Sequence, residues 1–249
     1  MILIMLYIYI WKAKVMVKDI NLKNKYSIIT GASGFIGSSI ALKLATHETN
    51  LILIDIDTNQ LNKLSKKIKK INKKIKVDII TSDISKALER KNLIKYLKTN
   101  YNKIDIMVNS IGMVGTDTSN GWNVEYNNQS LESWNKCIEI NLTAIFFLIQ
   151  GIHKSMYRTK NASIVNISSI YGVIAPDWQM YEGTDIYNPA AYSISKAGLV
   201  NMSRWLASTL SPYIRVNCIS PGGILRKQNL IKIDVIVYFS LGLPAKIAT

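Results

Sequence analysis

The chain has 249 residues, 48% of them hydrophobic, and carries a formal net charge of +15 at neutral pH. That length and apolar content suffice for one α/β domain with a full core and exclude extended disorder. Two cysteines, Cys137 and Cys218, exclude a disulfide framework and fit a reducing, cytoplasmic setting, and two histidines with no CxxC or HxxxH spacing argue against a metal site.

The basic excess is compatible with an anionic partner. Much of it is Lys in a chain also heavy in Ile and Asn, however, and a compositional bias accounts for it without one.

The chain starts with an 11-residue apolar run, MILIMLYIYIW. It is shorter than the ~20 residues a bilayer span needs. No basic stretch precedes it and no small-residue cleavage site follows, so neither a span nor a signal peptide is expected. Residues 1–15 read as an extension outside the core, with a membrane-surface anchor as the alternative.

Residues 25–30 (KYSIIT) read as a buried strand, and TGASGFIGSSIALKLA follows directly. Gly31, Gly34 and Gly37 thus fall between a strand and an amphipathic helix. Glycines there let the backbone turn tightly and approach a pyrophosphate, which lies at the helix N-terminus. A bare glycine turn with no ligand is the plainer reading.

LILIDID (51–57) is a second strand ending in acid. Asp55, a little over ~20 residues past the first glycine, is placed to accept hydrogen bonds from an adenosine ribose and to repel a 2′-phosphate. Alternatively Asp55 caps the next helix and Asp57 binds, or neither does.

Residues 58–76 carry eight lysines between Leu61, Leu64, Ile68, Ile71 and Ile75. The steps of three and four predict an amphipathic helix with a solvated basic face. No aromatic residue is interleaved to stack bases, so nucleic acid is not the expected partner.

A third strand, KVDIITSDIS, ends at Asp83, and a helix follows over roughly 85–99. A fourth strand, KIDIMVNSIG (103–112), ends in Asn109-Ser-Ile-Gly112. Residues 113–130 read as a loop over the crevice at the strand ends. A long helix from about 131 carries Asn141 among apolar neighbours, where a buried amide must find partners in the helix backbone or in a relay. A fifth strand (161–172) ends at Ser168 and Ser169. A helix bearing Tyr192 and Lys196 comes next, then a sixth strand, YIRVNCIS, followed by Pro221-Gly222-Gly223.

Tyr192 and Lys196 are one turn apart and share a helix face. A free phenol titrates near ~10, and an ammonium beside it favours phenolate. The pair can therefore trade a proton with a carbonyl or hydroxyl oxygen. Taken alone, it is more often a packed ring beside a solvated stem. The alternation of strands and helices gives an α/β fold: a doubly wound, Rossmann-type parallel sheet with helices on both faces.

Over roughly residues 20–224 the sequence resembles the short-chain dehydrogenase/reductase family. The resemblance is carried by TGASGFIG, Asp55, Asp83, NSIG at 109–112, the helix Asn141, ISSIYG, YSISK and RVNCISPGGI. It implies six family strands in a dinucleotide-binding catalytic domain, here residues 16–224. It further implies an oxidoreductase interconverting a secondary alcohol and a ketone, with NAD preferred over NADP. Tyr192 would be the acid/base. Lys196 would hold the nicotinamide ribose and lower the Tyr192 pKa. Ser169 would hydrogen-bond the substrate oxygen, and Asn141 would support a water relay to Lys196. Gly31, Ser33, Gly34 and Ile36, with Gly37, would form the pyrophosphate loop. Asp55 would take the ribose, Asp83 the adenine region, and Asn109 the loop near the nicotinamide. Pro221 and Gly222 would close on the nicotinamide side.

Two departures from the family stand out. The stretch between Ser169 and Tyr192 is long and holds Trp178, Tyr181, Tyr187, Asp177, Glu182 and Asp185. It looks like a subgroup in bacterial surface-sugar and flagellin-modification pathways, which implies a sugar-like small-molecule substrate; the plainer reading is a loop packed by its own aromatics. Residues 225–249 lack the family's covering segment, later helices and seventh strand, although IDVIVYF could form a strand. The tail looks truncated or replaced, which puts the family's usual homo-oligomer in question. It leaves open a remnant that only binds dinucleotide.

Overall fold

A computed structural model describes residues 21–114, 117–222 and 237–240. The apolar start (1–15) and most of the tail after 224 lie outside these residues.

The strands are β1 (Tyr26–Thr30), β2 (Asn50–Asp55), β3 (Val77–Thr81), β4 (Ile106–Asn109), β5 (Ala162–Ile167), β6 (Ile214–Pro221) and β7 (Val237–Ser240). They form one sheet in the order β3-β2-β1-β4-β5-β6-β7. The first six are parallel. The sheet continues past β6 with β7, which falls at the end of the IDVIVYF run that could form a strand by its sequence. β7 pairs antiparallel with β6, Cys218 opposite Ser240 and Pro221 opposite Val237. The β6 edge is therefore paired along that stretch.

The helices are α1 (Phe35–Thr46), α2 (Thr58–Ile71), α3 (Ala87–Asn100), α4 (Leu131–Ile138), α5 (Ala144–Tyr157) and α6 (Ala190–Thr209). Strand residues alternate between two cores because successive side chains point to opposite faces. Ile28, Ile52, Ile54, Met107 and Ile164 pack with α3, α5 and α6. Ile29, Leu51, Leu53 and Val108 pack with α1 and α2. Strands buried on both sides need near-continuous apolar runs, which these sequences supply.

In α2 the predicted stripe holds for Leu61, Leu64 and Ile68, all buried. The helix ends at Ile71, whose side chain is exposed, and Ile75 is buried beyond it. The expected single helix from 131 is α4 and α5 joined by a π-helical turn, Glu139–Thr143. Its mark is the Ala144 N–H donating to Glu139 O, a step of five residues. No helix among the described residues is long and apolar enough to cross a membrane.

Candidate active site

Parallel strands put their carboxyl ends at one edge of the sheet, and the site is built there. After β1 the backbone turns through Gly31 at φ +64°. A Cβ on Gly31 would fall 2.7 Å from Ile111 N, and one on Gly37 would fall 2.2 Å from Gly31 O. Both positions therefore need glycine, one for a left-handed turn against the β4 end, the other for contact between α1 and that turn. Gly31, Ser33 and Gly34 line a cleft of about 520 Å³, together with Asp55, Asp83, Ser85, Ser110, Gly112, Met113, Asp117 and Lys136.

Asp55 closes β2 into this cleft. Its carboxylate accepts from Ser33 N at 2.9 Å and Ile56 N at 2.8 Å. The helix cap falls to the other acid: Asp57 Oδ1 accepts from Gln60 N at 2.9 Å at the start of α2. The alternative with the two acids exchanged is thus excluded for the cap. Asp83 reaches the cleft wall, but its Oδ1 accepts from Ser85 N at 3.1 Å and Ser85 Oγ at 2.6 Å. Lys136 is the one cation among the described lining residues. It faces Asp117 at 3.4 Å and Ser119 Oγ at 2.6 Å.

Three predicted loop residues sit behind the cleft wall. Ile36, the second residue of α1, packs on the core. Gly37 faces the Gly31 turn. Asn109 is fully buried, accepting from Thr30 Oγ1 at 3.3 Å and donating to Asn166 Oδ1 at 2.8 Å. Asn166 continues to Ser203 Oγ at 2.9 Å. Asn109 thus ties β1, β4, β5 and α6 together beneath the cleft. Pro221 ends β6 and Gly222 follows, both half-buried.

The residues expected to transfer the proton lie on α6 and the end of β5. Lys196 is 3% exposed. Its Nζ donates to Ile167 O at 3.0 Å and stands 5.8 Å from the centre of the Tyr192 ring. Burial pulls the Lys196 pKa down to about 8, so the ammonium still prevails at neutral pH. Ser168 Oγ donates to Lys196 O at 2.8 Å, fastening α6 to β5. Ser169 is buried and caps the turn Ile170–Gly172, its Oγ accepting from Tyr171 N at 3.2 Å. Asn141 is fully buried in the π-helical turn, which the 2.7 Å Arg90–Glu139 ion pair holds to α3. Its amide bonds beyond its own helix. Oδ1 accepts from Met113 N at 2.7 Å, and Nδ2 donates to Ser195 Oγ at 3.0 Å.

The long segment before α6 divides. Its inner part meets the site through Tyr171, whose hydroxyl lies 2.5 Å from that of Tyr181. Burial first, then this contact, pushes the Tyr171 phenol well above its ordinary pKa, and Tyr192 is near enough to add to the effect. Its outer part, with Trp178 and Tyr187, lines a separate cavity of about 660 Å³ that borders Ser193, Ile194 and Ala197. Those α6 positions stand about 60–160° around the helix from Tyr192 and Lys196. Tyr171 lines this cavity as well. Asn123 clasps this segment, donating to Asp185 O at 3.1 Å and accepting from Tyr187 N at 2.8 Å.

The fold, with its cleft at the strand ends, is of the Rossmann type. The family model described as short chain dehydrogenase matches residues 25–229, and the chain belongs to that family. It is 32% identical over 217 residues to the post-translational flagellin modification protein A of Campylobacter coli, covering 83% of this chain and 80% of that protein. It is 31% identical over 212 residues to the NAD-dependent glycerol dehydrogenase of Listeria innocua serovar 6a, covering 84% of this chain and 74% of that one. In fold it is similar to Pseudomonas aeruginosa RhlG, solved as an active-site complex with NADP, with TM-score 0.70, 24% identity and coverage of 83% and 75%.

The residues present fit a dinucleotide. A Cβ on Gly34 would meet only Gly31 O, at 3.3 Å, so the loop is open on its cleft side. The start of α1 offers backbone N–H groups for phosphate oxygens.

Sequence reasoning missed Ser195, Met113, Ser168 and Arg90. Ser195 sits inside YSISK yet carries no signal of its own, because its partner Asn141 lies 54 residues away along the chain.

Proposed function

We propose that the protein interconverts a secondary alcohol and a ketone on a polyhydroxylated, sugar-like substrate, with NAD(H) preferred over NADP(H). The observation that carries the reading is the buried Lys196 ammonium beside the Tyr192 ring, at the strand ends next to the glycine-lined cleft.

Gly31, Ser33 and Gly34 would hold the pyrophosphate and Asp55 the adenosine ribose. The nicotinamide, when bound, supplies or accepts the hydride. The chain manages the proton. In the oxidative direction Tyr192 takes the hydroxyl proton as phenolate; in reduction it returns that proton to the carbonyl oxygen. Lys196 favours the phenolate by its charge, and Ser169 holds the substrate oxygen. Asn141 braces the cofactor loop at Met113 against α6. Preference for NAD is supported by Asp55, whose carboxylate repels a 2′-phosphate, and by the lack of an unpaired cation among the described cleft residues.

The Tyr171–Tyr181 hydroxyl pair supports the sugar-like reading. Tyr171, kept protonated, presents hydroxyl groups two positions past Ser169. The Listeria relative is by its name a NAD-dependent glycerol dehydrogenase, and glycerol is a polyol, which points the same way.

The test is Tyr192→Phe with NADH and a panel of keto-sugars and polyols. Turnover is expected to fall at least ~100-fold with NADH affinity nearly intact. Undiminished turnover overturns the acid/base assignment.

A further inference from the structure

Asn141 reaches the Tyr192 turn through one buried hydroxyl. Ser195 Oγ, fully buried, donates to Tyr192 O at 2.8 Å and accepts from Asn141 Nδ2 at 3.0 Å. The polarity of this chain is fixed by its ends. A carbonyl can only accept, so the serine proton points to Tyr192 O and its lone pair faces Asn141. The Met113 N–H can only donate, so Asn141 Oδ1 must face it, at 2.7 Å.

Nδ2 has two other acceptors, Met113 O and Cys137 Sγ, both at 3.3 Å. Ser195 is nearer than either, and thiol sulfur is a weak acceptor. Gly112 sits where the two sides meet: a Cβ there would lie 3.1 Å from Lys196 Nζ and 3.5 Å from Asn141 Oδ1.

We propose that Ser195 is a positioning residue, the hydrogen-bonded link through which Asn141 holds the Tyr192–Lys196 turn in register with the Met113 wall of the cofactor cleft. It acts through Asn141 and touches neither substrate nor cofactor. A serine that merely bonds back to its own helix, a common habit, would leave Asn141 where it is. The proposal rests on the oxidoreductase reading for its kinetic consequence but not for its structural one.

The experiment therefore has two arms, both on the full chain. The first follows amide hydrogen exchange by NMR without cofactor in wild type, Ser195→Ala and Ser195→Thr. With the hydroxyl gone, Asn141 Nδ2 loses its nearest acceptor, and the Met113 amide exchanges about tenfold faster. Ile29 and Val108, in the strand cores, keep their protection. Threonine restores Met113 if it folds; Ser195→Cys, a weaker acceptor of similar size, serves as the intermediate case if it does not. Unchanged Met113 exchange in Ser195→Ala, or an equal rise at all three amides, overturns the link.

The second arm is a double-mutant cycle with Asn141→Ala, using NADH and the best ketone from the substrate panel. Ser195→Ala lowers kcat about tenfold with the KM for NADH within about twofold, and costs less than about twofold when Asn141 is already alanine. Additive losses overturn the proposal. Absence of turnover in wild type would sink the functional reading alone, since the exchange arm still decides whether Ser195 holds Asn141.

Discussion

Replacing Gly37 by alanine opposes two rules whose outcomes differ in sign. Gly37 is an interior residue of α1. By helix preference alone, alanine there stabilises by up to ~1 kcal/mol. The structure forbids that gain. The new Cβ would sit 2.2 Å from Gly31 O, more than 1 Å inside ordinary contact, with Gly31 C at 3.0 Å and Ala32 Cα at 3.1 Å. These are backbone atoms that cannot rotate away, and Gly31 is itself pressed against Ile111. Overpacking of this kind costs about 1–3 kcal/mol or more. After the helix gain the net loss is about 2 kcal/mol, which for a chain of this size lowers Tm by roughly 4–8 °C. Gly34→Ala is the control. Its Cβ meets only Gly31 O, at 3.3 Å, and its backbone is extended at φ −65° and ψ 167°. Its Tm should stay within about 2 °C of wild type, while NADH affinity falls because the methyl faces the cleft. Thermal unfolding without cofactor, followed by NADH fluorescence titration, separates the two effects. A Gly37→Ala variant as stable as wild type would refute the packing argument. Undiminished NADH binding by Gly34→Ala would refute the cradle.

Lys196→Met should raise stability while removing activity. In the folded chain the Lys196 pKa is about 8, against an ordinary value of 10.5, so burial of the charge costs about 3 kcal/mol below pH 8. The unfolded state binds the extra proton between those two values, so wild-type stability from this group rises with pH across that window. The Lys196→Met advantage, reduced by the unpaired Ile167 carbonyl, is therefore largest below pH 8 and fades toward pH 10.5 in thermal unfolding. An advantage that grew with pH would contradict the sign. Asp55→Ala should weaken NADH binding and narrow the NADH-to-NADPH ratio of dissociation constants by about tenfold, the equivalent of about 1.4 kcal/mol; an unchanged ratio would move the ribose contact elsewhere. Tyr181→Phe leaves the Tyr171 hydroxyl without its partner and should raise the KM for a polyol substrate several-fold with NADH affinity unchanged. An effect confined to NADH would place the phenol pair on the cofactor side.

Local chemistry in the sequence determined the frame. Apolar runs broken by glycine or acid gave strands, steps of three and four gave helices, and the order of TGASGFIG, NSIG, ISSIYG and YSISK gave the family. These signals are short-range, so each survives in the linear text. The partners of polar groups could not be read in that way, because they join residues far apart. Asp55 and Asp57 look alike in sequence; the reach of Asp57 to Gln60 and of Asp55 to Ser33 separated them. Asn109 read as a cofactor residue until packing showed it bonded to Thr30 and Asn166. The aromatic-rich segment read as a sugar surface or a loop packed by its own aromatics, and only the folded chain put Tyr171 and Trp178 on the wall of one cavity beside α6. The tail offered no family pattern, and only pairing with β6 gave Val237–Ser240 a place. Sequence thus set which elements form and which chemistry they carry. The tertiary structure decided which polar groups meet, because a hydrogen bond depends on distances of about 3 Å between atoms that the chain alone does not bring together.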